Sequence, residues 1–254
     1  MIWLSNFIVS KGGIILAALV LLMLLERTFP IVKVRSNLNR IARNFSLAGL
    51  NALLGPLIII PITAYAAGYA LHWRPDWWSG WAGLAIDFLI LDCWIYGWHR
   101  LNHVVPFLWR FHEVHHLDEH LDATSALRFH FGEVVLSSLV RAGVILLVGI
   151  PLMNVVVFET LVTVAAIFHH SNLKLPDKVD ALLSRIIVTP SLHWVHHHAL
   201  RGDTDSNYST ILSVWDRIFA SRNIAKFNIA MKMGVEGLSD VHILRLILRP
   251  FYKA

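Results

Sequence analysis

The sequence predicts an all-α, multi-spanning integral membrane helical bundle with a histidine-rich metal site at its cytoplasmic face, and three observations carry that expectation. Of 254 residues, 56% are hydrophobic and only 15% charged, outside the usual balance of a soluble domain. Long apolar runs alternate with short polar ones, as they do when lipid is the solvent. Histidine is crowded: of 15 in the chain, 13 lie between His99 and His198.

The first apolar run, from about Ile8 to Leu25, is long enough for a hydrocarbon core that takes about 20 helical residues to cross. It follows a nearly neutral start and ends in Leu-Leu-Glu-Arg, not at a small-residue cleavage site, so it reads as a retained helix and not as a signal peptide. Arg27, Lys33, Arg35, Arg40 and Arg43 follow, and this excess of positive charge places the loop in the cytoplasm. A second span from about Phe45 to Leu71 then leads outward. The loop from His72 to Gly80 carries Trp73, Trp77 and Trp78 at the opposite interface, and a third span from Trp81 to about Trp98 returns His99 to the cytoplasmic side.

From Val134 to Phe168 the chain is apolar again, with Gly149-Ile150-Pro151 as a break near the middle. A helical hairpin with that break enters and leaves by one face, so His169 and His170 return to the side of His99 to His116. No further full span follows, which keeps His193 to His198 there as well. Near the C-terminus Ile243, Leu244, Leu246, Ile247 and Leu248 mix with Arg245, Arg249 and Lys253, the pattern of an interfacial helix or, equally, of a packing helix. No internal repeat, low-complexity tract or flexible linker divides the chain.

Function classes narrow quickly. The formal net charge of +5 sits beside hydrophobic spans, where anionic lipid explains it better than nucleic acid does. A single cysteine, Cys93, excludes an internal disulfide, an all-cysteine zinc site and a four-cysteine iron-sulfur cluster. Any metal must therefore be held mainly by nitrogen and oxygen.

His99 and His103, four apart, share one helical face. His112, His115 and His116 combine spacings of three and four, so that two members of the group can serve different metals, and His193, His196 and His197 repeat the pattern with His198 adjoining. His169 and His170, followed by Ser171-Asn172, stand where another helix could close the site. Isolated His72, His120 and His242 read as caps or interfacial residues. Zinc takes four ligands, or three and a water, so a set this large fits two ions better than one. Imidazole suits zinc, iron, copper and nickel alike and does not choose among them. His112-Glu113-Val114-His115-His116 also satisfies the His-Glu-x-x-His metalloprotease pattern, with Glu113 as general base, but that reading leaves the His99 and His193 groups without a role. A non-catalytic metal or haem carrier is a third reading.

These residues resemble the fatty acid hydroxylase superfamily, also called the sterol desaturase family, of membrane-bound di-iron enzymes. The resemblance runs from about Asp87 to Ser221, through Asp-Cys-Trp-Ile-Tyr-Gly-Trp-His-Arg-Leu-Asn-His (92 to 103), His-Glu-Val-His-His (112 to 116), Thr-Ser-Ala-Leu-Arg-Phe-His (124 to 130), His-His-Ser-Asn (169 to 172), His-Trp-Val-His-His (193 to 197) and Asp-Thr-Asp-Ser-Asn-Tyr (203 to 208). It implies metal ligation by His99, His103, His112, His115, His116, His170, His193, His196 and His197. Further ligands or supporting residues would come from His130, His169, Asn172, His198, Asp203, Asp205, Asn207 and Tyr208. Phe131 stands where the family often has proline, so the turn at His130 departs from the family pattern.

The resemblance further implies two iron ions, replaceable by zinc in a purified protein, that activate O2 to hydroxylate or desaturate a lipid. Within what reads as a single structural domain, N-terminal transmembrane helices (1–80) precede the family-like catalytic region (81–221), and a C-terminal interfacial segment (222–254) follows. With no nucleotide-binding loop, no cysteine set and no fused haem domain, electrons are expected from an external ferredoxin, cytochrome or reductase. Arg100, Arg110, Arg128 and Arg201 are candidates to dock it or to hold anionic membrane lipid.

Overall fold

The computed structural model describes residues 2–33, 37–223, 225 and 227–252, with side chains from Ser10 onward; Arg35 and Lys253 lie outside the described residues. Twelve α-helices and no β-strand are found among the described residues. Four helical stretches are long and apolar enough to cross a membrane: Leu38–Gly68, Gly80–Val104, Phe131–Val148 and Leu152–His170. The helix α1 (Ile2–Thr28) contains the first expected span but is not among these four. Its described part is interrupted by Lys11, Glu26 and Arg27, while Leu16, Val20, Leu21 and Leu24 face outward.

Helix α2 (Leu38–Leu54) starts where Asn37 Oδ1 accepts the Arg40 N–H at 3.1 Å, an ordinary N-cap. It continues through a π-helical turn at Gly55–Ile59 into α3 (Ile60–Gly68). Pro56 and Pro61 each lack a backbone donor inside this long helix, which accounts for the irregular turn. The second span thus begins earlier than Phe45 and ends at Gly68. The tryptophan loop does more than mark an interface: Trp73 Nε1 donates to Leu147 O at 2.7 Å, and Arg74 and Trp78 both bond the buried Asp87.

Helix α4 (Gly80–Val104) ends at Val105 because Pro106 holds the preceding residue extended, and the proline opens α5 (Pro106–His116). The hairpin forms as expected from α6 (Phe131–Val148) and α7 (Leu152–His170), joined by Gly149-Ile150-Pro151. Gly149 has φ +77°, and a Cβ there would lie 2.6 Å from Leu71 O, so no other residue fits without movement. Within this layer Glu159 on α7 bonds Lys11 on α1 and Arg141 on α6, each at 2.6 Å, which compensates the cost of charge in an apolar setting and ties three helices together.

Short helices α8 (Asp177–Leu183), α9 (Pro190–His196), α10 (Arg201–Thr204) and α11 (Val214–Ile218) wrap the end of the bundle where α4, α5 and α7 finish. Helix α12 (Ile243–Leu248) packs Leu246 against Leu47, Val114 and Leu117, while Leu244 stays exposed, so it has both a packed and a free apolar face. Two of the basic residues are spent internally. Arg40 is buried and bonds Asp118, Asp122 and His120 O, so it is not a free loop charge. Arg128, expected at a docking surface, is 0% exposed and bonds Asp240, Asn44 and Val114 O; burial removes it from any partner contact.

Candidate metal centre

The two His-x-x-His-His runs sit on the short helices α5 and α9, and each run divides its side chains in the same way. Five histidines, His99, His103, His112, His116 and His196, bring one ring nitrogen each to within 4.8 Å of one another. Four more, His115, His170, His193 and His197, form a second such group. Thus α5 sends the pair one turn apart, His112 and His116, to the first group and His115 to the second. Helix α9 sends His193 and the adjoining His197 to the second and His196 to the first. The groups touch: the rings of His116 and His197 stack with centroids 4.3 Å apart.

Histidine supply follows from helix ends. His103, His116, His170 and His196 each lie in the last turn of α4, α5, α7 or α9, where unsatisfied carbonyls carry partial negative charge. Several C-terminal ends directed at one place favour bound cations. In the second group, ε nitrogens crowd at 3.0 Å (His115 to His170 and His170 to His193) and 3.1 Å (His193 to His197).

The outer ring nitrogens are held in turn. His99 Nδ1 lies 2.8 Å from Tyr208 O, His196 Nδ1 2.6 Å from Ser206 O, His103 Nδ1 3.2 Å from Asp205 and His112 Nδ1 2.9 Å from Glu133. Such contacts fix the tautomer that leaves Nε2 free for a metal. The Nε2 atoms of all four are buried without a partner among the described residues, as are both ring nitrogens of His116. Orphaned imidazole nitrogens in two convergent groups suit one divalent cation each, so the donor set fits a pair of nitrogen-ligated metals.

Burial holds His115, His116, His193 and His197 well below the usual imidazole range, and neighbouring imidazoles push the same way; His196 falls to about 3. These rings are neutral at physiological pH, the form that ligates.

Other candidates stand apart from both groups. His130 caps α6, its Nδ1 accepting the Gly132 N–H at 2.9 Å, while Nε2 reaches Ile247 O. His169 contacts His193 ring to ring at 4.0 Å but turns Nδ1 to Thr210 O. His198 pairs with Asp203 at 2.7 Å, a bond that holds the Asp203 carboxyl below its ordinary range. Asn172 ties the end of α7 to the bend at Val32 after α1, and Asn207, at φ 51°, fixes the loop through Leu192 O and Asn223 N. The sequence reasoning passed over Glu133. An acid in the first turn of an apolar helix, three residues after His130, was the available signal.

Glu113 leaves the centre. Its Oε2 accepts from Arg249 Nε at 2.6 Å, tying α5 to the C-terminal segment, so it is not poised as a general base over a metal. Beside the histidines opens a cavity of about 240 Å³, lined by Ile95, Trp98, Phe129, Val162, Thr163 and Ala166 together with His112, His115, His169, His170 and His193. Its apolar walls come mainly from α4 and α7.

Comparison with known proteins agrees with this geometry. An ornithine lipid hydroxylase of Rhizobium tropici is 26% identical over 196 residues, covering 77% of this chain and 58% of the relative. An alkylglycerol monooxygenase of Danio rerio is 31% identical over 144 residues (57% of this chain, 30% of the relative), and a cholesterol 25-hydroxylase-like protein of the same species is 29% identical over 143 residues (54% of each). The chain therefore spans between about a third and somewhat over half the length of these relatives. No solved structure matches it significantly. The fatty acid hydroxylase family model matches residues 84–221, more than half of the chain and every one of the nine grouped histidines, and the chain belongs to that family.

Proposed function

We propose that this protein is a membrane-bound di-iron oxidoreductase that uses O2 to hydroxylate or desaturate a lipid. The observation that carries the reading is the meeting of nine histidines in two touching groups beside an apolar cavity. His99, His103, His112, His116 and His196 would hold one ion, and His115, His170, His193 and His197 the other. Bound iron would supply the reductive activation of oxygen needed to attack an unactivated carbon-hydrogen bond. Hydroxylation inserts one oxygen atom into that bond and releases the other as water; desaturation releases both as water. Each takes an electron pair and two protons from outside.

The chain's own side chains divide the remaining work. Ile95, Val162, Ala166 and Phe129 offer an apolar bed that excludes water and admits a lipid chain laterally from the bilayer. Asp205, Glu133, Tyr208 O and Ser206 O orient imidazoles of the five-histidine group, of which His99 and His112 line that bed. Exposed Arg100 and Arg110, with the half-exposed Arg201, suit an acidic ferredoxin, cytochrome or reductase arriving from the aqueous side. We place that side in the cytoplasm from the charge of the loop after α1, and read 1–80 as membrane helices, 81–221 as the catalytic region and 222–254 as a C-terminal interfacial segment.

Comparative lipid analysis of cells with and without the gene tests the reading. It predicts one lipid class shifted by 16 mass units, or by the loss of two hydrogens, only in the presence of oxygen. An unchanged lipid profile together with purified protein that holds a single zinc and consumes no oxygen would overturn it.

A further inference from the structure

The apolar cavity carries a polar patch. Three side-chain atoms of residues that line it, Trp98 Nε1, Asn102 Oδ1 and Glu133 Oε2, are buried without a hydrogen-bond partner among the described residues. The residues are 6%, 1% and 5% exposed, so water at the surface does not serve them, and native proteins rarely leave such atoms unmet. Trp98 and Asn102 stand one turn apart on α4. Asn102 Nδ2 donates to Glu133 Oε1 at 3.4 Å, and because a carboxylate only accepts, this fixes Asn102 Oδ1 as the free acceptor. Glu133 Oε1 also takes the His112 contact, so the patch borders the five-histidine group. Glu133 is not a member of either group, and its Oε2 is left without a partner among the described residues.

The patch therefore presents one donor and two acceptors beside the place where a carbon would be oxidised. A hydrocarbon segment would satisfy none of them, and an ester or ether would satisfy Trp98 alone. A group that both accepts and donates satisfies Trp98 and one of the acceptors at once.

We propose that Trp98, Asn102 and Glu133 select a lipid that carries an amide or hydroxyl group close to the reacting carbon, in preference to esters, ethers and plain hydrocarbons. The carbonyl or hydroxyl oxygen accepts from Trp98 Nε1, and the N–H or O–H donates to Asn102 or Glu133. This rests on the lipid-oxidation reading for what enters the cavity.

Equilibrium binding of N-methylhexadecanamide and methyl hexadecanoate, which differ only by N–H against O, to the full chain in lipid nanodiscs tests it. The amide binds at least about tenfold more tightly than the ester, a difference of about 1.4 kcal/mol. Trp98→Phe weakens both probes in parallel, because both use the carbonyl. Asn102→Leu narrows the ratio between them. Equal binding of the two probes by the unaltered protein, or an unchanged ratio in both Asn102→Leu and Glu133→Leu, overturns the proposal. Because no turnover is needed, an inactive protein that still prefers the amide would count against the oxidase reading alone, and an active one that binds both equally would count against this selection alone.

Discussion

The two histidine groups share α5 and α9, with α4 adding His99 and His103 to one and α7 adding His170 to the other, and they are supported differently. In the five-histidine group, four rings are braced through Nδ1, two of them by carboxylates, Asp205 and Glu133. In the four-histidine group, His115 and His170 lean on the carbonyls of Arg128 and Ala166, while the Nδ1 atoms of His193 and His197 have no partner among the described residues. A carboxylate behind an imidazole raises its basicity and fixes its orientation. The comparison teaches that ligand number and ligand support favour the same group, so the two sites should differ in metal affinity.

The largest expected effect breaks one group and spares the other. His196→Ala in the first group and His193→Ala in the second should each lower bound metal from two ions per chain towards one, with loss of lipid oxidation by more than about a hundredfold. Metal analysis beside product formation checks this. Next, Asp205→Asn should weaken the first site by about 10–100-fold with the second unchanged, measured by competition with a chelator. In the unaltered protein the chelator should empty the four-histidine group first; simultaneous release would dissolve the distinction drawn here.

Acidification acts on both groups. The folded-state values of His115, His116, His193, His196 and His197 lie below the ordinary 6.5, with His196 at about 3. Across that window the unfolded chain binds more protons, so stability of the metal-free protein rises with pH, is fully present above about 6.5, and is lost as pH falls below it. Thermal unfolding of metal-free protein between pH 7.5 and about 5 should show a falling midpoint; a flat profile would mean that the rings are not buried together. The smallest effect concerns Glu113. Glu113→Gln breaks a partly exposed pair with Arg249 and should cost about 1 kcal/mol or less, with metal content unchanged. Loss of metal, or of a peptidase activity, would restore the metalloprotease reading.

Much of this was legible in the sequence because it depends on local spacing. The Gly149-Ile150-Pro151 break marks the hairpin, and the spacing of three and four in the histidine runs already implied that neighbours could serve different ions. What was not legible depends on long-range contact. Arg128 looks like a surface charge in sequence, yet Asp240 from the far end of the chain buries it. Glu133 gains its meaning only because the α4–α5 connection turns His112 towards the start of α6. Helix boundaries moved for a related reason: Asn37 caps the second membrane helix before its apolar run begins, and the third runs on past Trp98 until Pro106 stops it.

Anomalous scattering at the iron edge, measured on crystals of the iron-loaded protein, tests the central claim most directly. Two peaks are expected, one enclosed by His99, His103, His112, His116 and His196 and one by His115, His170, His193 and His197. A single peak, or a peak whose neighbours exclude the His193 and His197 rings, would contradict it.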